Sequence, residues 1–110
     1  MTDSLRELSE QLERFARERD WQQFHSPKNL ASALIVEAGE LLEHFQWLTE
    51  AESRDLPPQK LAEVRDEVAD VLLYLAQFAT ATGIDPVQAA RDKLAANARR
   101  YPVGNPRGSN

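Results

Sequence analysis

The sequence predicts an all-α chain, a bundle of four helices joined by short connections. Two observations carry that expectation. Apolar residues recur at helical spacing in four successive segments and never alternate with period two, and three of those segments open at a proline, as the first turn of a helix tolerates. The first helix, residues 4–19, sets Leu5, Leu8, Leu12, Phe15 and Ala16 at helical intervals, and Trp21 to His25 follow as an aromatic, polar connector. Ser26-Pro27 reads as an N-cap followed by proline at the first helical position, opening a helix over residues 27–48. Gly39 lies in its middle, where glycine weakens a helix, so it marks either close approach by a neighbouring helix or a ligand, or a glycine that the helix merely tolerates. The stretch from Thr49 to Gln59, with Pro57-Pro58, reads as a loop; the third helix starts near Pro58, spans about 58–82 and is capped by Gly83. Asp85-Pro86 repeats the cap-plus-proline signal for a fourth helix over 86–99, which Tyr101-Pro102 ends. Residues 1–102 read as one helical domain, and residues 103–110, rich in Gly, Pro and small polar side chains, as a disordered tail.

Composition narrows the function classes. The net charge of −5 and pI near 5.0 leave no basic surface large enough to neutralise a phosphate backbone, which argues against nucleic-acid polymers and anionic membranes as partners. No apolar run approaches the length needed to span a bilayer, and Met1 to Arg6 lack the charged-then-apolar layout of a secretion signal, so the cytoplasm is the expected compartment. The absence of cysteine excludes disulfides and accords with that compartment.

Chemistry concentrates in two pairs of acids. Glu37-x-x-Glu40 and Glu67-x-x-Asp70 lie inside the two most apolar segments, each pair on one helix face about one turn apart. Leu30, Leu34, Leu41 and Phe45 run beside the first pair, and Val64, Val68, Val71, Leu75 and Phe78 beside the second. If those stripes pack together, four carboxylates meet at the edge of a core. Close anions repel and resist desolvation, so they must protonate or recruit cations. An all-oxygen donor set suits magnesium, manganese or calcium better than zinc or copper. His44 projects about 20° from Glu37 around the helix and is placed to orient ligands, whereas His25 precedes the helix. Glu63 falls on the stripe of Glu67, Asp70 and Tyr74 but reads as a solvated side chain.

These motifs, taken with Trp21-Gln-Gln-Phe-His25, Pro27-Lys-Asn-Leu30, Phe45-Gln-Trp47, the run from Asp70 to Tyr74, and Lys93-x-x-x-Asn97-x-x-Arg100-Tyr101-Pro102, resemble the all-α, MazG-like nucleoside triphosphate pyrophosphohydrolases, most nearly their dCTP pyrophosphatase branch. The match covers about residues 12 to 102. It implies a magnesium-dependent hydrolase, with manganese as a substitute, that converts a nucleoside triphosphate, dCTP or a modified dCTP, to the monophosphate and pyrophosphate in sanitation of the nucleotide pool. It further implies that Glu37, Glu40, Glu67 and Asp70 bind the metal ions and carry catalysis, with Glu40 as the candidate base. Trp21 and Trp47 would stack on the base with His25 and Tyr74 lining the same pocket, and Lys93, Asn97, Arg100 and Tyr101 would grip phosphates. This chain carries Leu12 where close dCTP-preferring relatives carry a nucleotide-contacting histidine. The competing reading is a helical nucleotide-sensing or protein-interaction module that keeps the fold without turnover. Ile35 and Leu42 project about 140 to 160° from Glu37, beyond the stripe one bundle covers, and so call for a second buried surface. With the resemblance, that implies a homotetramer built as a dimer of dimers.

Overall fold

Capping chemistry sets the element boundaries. The computed structural model describes residues 4–104, which form five α-helices and no strand: α1 (Ser4–Glu18), α2 (Pro27–Glu43), α3 (Glu50–Ser53), α4 (Pro58–Thr82) and α5 (Pro86–Arg100). Ser26 Oγ accepts from the Asn29 amide at 3.1 Å, and Asp85 Oδ1 accepts from the amides of Val87 and Gln88, both at 3.1 Å. These bonds satisfy amides that the first turn of a helix leaves unpaired. At the end of α4, Gly83 adopts φ 72° and lets the Ile84 amide donate to Ala79 O at 3.0 Å, which closes the helix.

Two boundaries differ from the expected ones. The helix expected to reach residue 48 ends at Glu43, because the amides of His44 and Phe45 donate three residues back, to Leu41 O and Leu42 O, and tighten the chain into turns over 44–47. Within the expected loop lies the single-turn α3, opened by a reciprocal cap in which Thr49 Oγ1 accepts from the Glu52 amide and Glu52 Oε1 accepts from the Thr49 amide. The tail expected over 103–110 lies, from residue 105 onward, outside the described residues.

The two acid-bearing helices are the ones that pair. α4 packs mainly on α2 and secondarily on α1, while α5 contributes no buried residue. The buried apolar residues are Ala16, Leu30, Val64, Ala76 and Ala79, three of them alanines, so little large apolar surface leaves water within one chain. Val68 and Leu75, expected on the packed stripe, stay exposed, as do Ile35, Leu42, Leu61, Leu72 and Leu94. The accessible surface is 8756 Å2, against roughly 6,100 Å2 for an ordinary folded monomer of this mass. Gly39 faces open space, since a Cβ there meets no atom within 4 Å, and no neighbouring element among the described residues accounts for it.

Candidate active site

The pairing of α2 with α4 brings acids from both helices together. Glu37 on α2 and Glu67 and Asp70 on α4 each offer a carboxylate oxygen, and the three oxygens lie within 4.8 Å of one another. Glu40, one turn along α2, hydrogen-bonds the Glu37 side chain. Among the described residues no lysine or arginine forms an ion pair with Glu37, Glu40, Glu67 or Asp70.

The electrostatic consequence falls on Glu37. Its carboxyl is pushed up to about 7, first by burial, then by the hydrogen bond and charge of Glu40, the charge of Asp70 and a hydrogen bond with Glu67. Oε2 of Glu37 and Oε2 of Glu67 are buried and have no hydrogen-bond partner. Buried polar atoms are seldom left unpaired, and two carboxylate oxygens so placed beside a third acid fit the donor set of a hard divalent cation. His44 stands behind the cluster, with Nε2 3.9 Å from Glu67 Oε1 and Nδ1 4.0 Å from Glu63 Oε2. Glu63 itself is exposed and also meets Lys60 Nζ at 3.7 Å, so its position agrees with a solvated side chain.

A cavity of about 200 Å3 opens beside Asp70, and local backbone geometry places its aromatic wall. After α1 the chain reverses through Asp20, a non-glycine residue at φ 56°, and the Trp21 amide donates to Ala16 O at 2.9 Å. Aspartate tolerates this left-handed conformation better than most side chains. The reversal folds Trp21 back onto Phe15, edge to face, with centroids 5.5 Å apart. Asn29 Nδ2 donates to Phe24 O at 3.1 Å, tying the short 3-10 turn at Gln22–Phe24 to the start of α2 and setting the place of His25 between them. Trp21, His25, Tyr74 and Asp70 thus border one space, together with Phe15, Leu12, Leu73 and Gln77.

The remaining expected site residues lie elsewhere in the chain. Trp47 is 86% exposed in the turn after α2. Lys93, Asn97 and Arg100 are exposed on α5, and Tyr101 caps it with its ring 5.2 Å from the Arg100 guanidinium carbon. A single chain does not bring these five side chains to the cavity. Sequence reasoning missed Phe15, Leu73 and Gln77 as lining residues. Spacings of three and seven from Asp70 were the available signal for Leu73 and Gln77, but the apolar pattern hid it.

The comparisons with known proteins bear on this arrangement. Residues 33–109 match the model of the MazG-like family. The chain belongs to that family. Among MazG-like relatives it is 46% identical over 97 residues to mouse dCTP pyrophosphatase 1, covering 86% of this chain and 57% of that protein. Human dCTP pyrophosphatase 1 is 45% identical over 91 residues, covering 81% of this chain and 54% of that one. The chain therefore spans little more than half the length of these mammalian relatives. A crystal structure of a pyrophosphatase from Archaeoglobus fulgidus superposes with a TM-score of 0.86 at 37% identity, covering 93% of this chain and 95% of that one. The MazG-like all-α fold expected from the sequence is the fold observed.

Proposed function

We propose that the protein is a magnesium-dependent nucleoside triphosphate pyrophosphohydrolase that cleaves dCTP, or a modified dCTP, to the monophosphate and pyrophosphate. The observation that carries the reading is the cluster of Glu37, Glu67 and Asp70, with two buried, unpartnered oxygens, whose Asp70 borders a cavity walled by Trp21 and Tyr74. The names of the mammalian relatives and of the archaeal neighbour point the same way.

Glu37, Glu67 and Asp70, with Glu40 beside them, would hold the cation. A bound divalent ion neutralises phosphate oxygens and makes water a better nucleophile. His44 supports the Glu67 carboxylate from behind. Trp21 and Tyr74 offer aromatic faces for the base, and Phe15 holds the Trp21 ring at a fixed angle. In the hydrolytic step a water oxygen bonds to phosphorus as the phosphorus–bridging-oxygen bond breaks and pyrophosphate departs. Glu40, already engaged in a hydrogen bond with Glu37, receives the proton that water loses.

The same reading includes a homotetramer in the cytoplasm, with manganese as an alternative metal. Its support is the apolar surface a single chain leaves in water: Ile35 is 70% exposed, Leu42 65% and Leu94 69%. A neighbouring chain covering that surface could also bring Trp47 and the α5 side chains Lys93, Asn97 and Arg100 towards a site. Among the described residues no helix is long and apolar enough to cross a membrane.

Pyrophosphate release from a panel of ribo- and deoxynucleoside triphosphates, with magnesium and with EDTA, tests the proposal. Magnesium-dependent release, fastest with dCTP or a 5-substituted dCTP, is the expected result. No release from any triphosphate, with nucleotide binding retained, would establish the interaction-module reading in its place.

A further inference from the structure

From the acid cluster outward, α4 presents Asp70, Leu73, Tyr74 and Gln77 to one cavity. These positions share one helix face, and seven residues of helical rise set Gln77 about 10 Å along the axis from Asp70. That separation is comparable to the reach of a nucleotide from its α-phosphate to the far edge of its base. Gln77 also borders an adjoining cavity of about 180 Å3, which shares Leu12, Ala16 and His25 with the first.

The amide has a defined orientation. Gln77 Nε2 donates to Leu73 O at 3.1 Å, one turn back on the same helix. Only the nitrogen of a primary amide can donate to a carbonyl, so this bond distinguishes the two ends of the group and leaves Oε1 as a free acceptor among the described residues. Leu12, Phe15, Ala16 and Leu73 among the lining residues are apolar and Gln77 is part-buried, so a ligand that shields Oε1 from water without bonding it leaves a polar atom unpaired, which discriminates against that ligand.

We propose that Gln77 determines base specificity in this pocket: its Oε1 accepts a hydrogen bond from the exocyclic amino group of the base, as cytosine carries, and opposes bases that present a carbonyl oxygen at that edge, as uracil and thymine do. The inference rests on the pyrophosphohydrolase reading and names the group through which the same site selects its substrate. dCTP and dUTP differ only by an amino group against a carbonyl, with the proton on the adjacent ring nitrogen following that exchange, so they isolate the contact.

The test is the ratio of kcat/KM for dCTP to that for dUTP in the native chain, in Gln77→Met, which keeps an unbranched side chain of similar length, and in Gln77→Ala. The expected result is a native preference for dCTP that falls about tenfold in both variants, the size of one neutral hydrogen bond, with the loss borne by dCTP. A native ratio that both variants retain overturns the proposal. Equal losses on both substrates in both variants would make Gln77 a packing residue and overturn it as well. Failure of the native chain to hydrolyse any triphosphate is a different result, since it removes the pyrophosphohydrolase reading itself, and this proposal with it.

Discussion

Replacing Asp70 by asparagine separates a metal-binding acid from a structural one. Asp70 and Glu67 offer oxygens within 4.8 Å of each other, and no lysine or arginine among the described residues pairs with either. Two unit charges at that separation repel by about 3 kcal/mol at an effective dielectric of 20 and by about 1 kcal/mol in water. Both side chains are only partly buried, so the lower figure governs. In EDTA at pH 8, Asp70→Asn should therefore unfold about 4–8 °C above the native chain. With excess magnesium the order should reverse. The native chain gains about 2.7 kcal/mol when the ion stands at a hundred times its Kd, and the variant, short of one ligand, gains less. Pyrophosphate release by the variant should fall at least roughly 100-fold. Calorimetric melts in the two buffers, read beside turnover, decide the matter. A structural acid behaves otherwise: neutralising one partner of a buried ion pair costs about 3–5 kcal/mol in either buffer. Equal destabilisation with and without magnesium, or turnover at the native rate, would refute the metal-site reasoning.

Four further outcomes follow from particular side chains. Because burial and its acidic neighbours raise the Glu37 carboxyl to about 7, the folded chain holds that proton more tightly than the unfolded one, so the metal-free protein should lose stability as pH rises from about 4.5 through 7; Glu37→Gln should flatten that slope in thermal melts, and an unchanged slope would assign it to another group. Magnesium affinity, measured by calorimetric titration, should weaken as pH falls below 7, since a ligating carboxyl must shed its proton. Nucleotide binding should change tryptophan emission only when magnesium is present, and Trp21→Ala, which removes an aromatic wall of the cavity that Asp70 borders, should weaken binding roughly tenfold; an emission change undiminished by EDTA would return Trp21 to a packing role. Light scattering at micromolar concentration should report four chains, and Leu42→Glu should lower that number; a native monomer would leave the exposed faces of α2 and α5 without a partner and defeat the tetramer.

The helices were legible because their signals are local. Ser26-Pro27, Asp85-Pro86 and Gly83 act on the backbone within a turn of themselves, so their residue types alone place the starts of α2 and α5 and the end of α4. The acids were legible for a related reason: Glu37-x-x-Glu40 and Glu67-x-x-Asp70 each share a face by helical geometry, whatever surrounds them. Where competing local bonds decide, the apolar pattern gave too little. The turns after Glu43 and the Thr49–Glu52 cap depend on which carbonyl each amide finds, and periodicity carries no record of that choice.

What only the tertiary structure decided lies between elements. Which acids converge across the α2–α4 interface, that Glu37 bears a raised carboxyl, and that two carboxylate oxygens are left buried and unpaired all depend on distances between residues some 30 positions apart in sequence. The folding of Trp21 onto Phe15 depends on Asp20 entering a left-handed conformation, and the placing of Gln77 in the cavity depends on the approach of α1. The sequence by itself determined the four main helices, the faces that carry carboxylates and, in Ile35 and Leu42, apolar residues one chain leaves uncovered, because each follows from the chain's own periodicity. Distance, burial and the direction of a hydrogen bond belong to pairs of elements, and they acquire values only when α1, α2 and α4 pack.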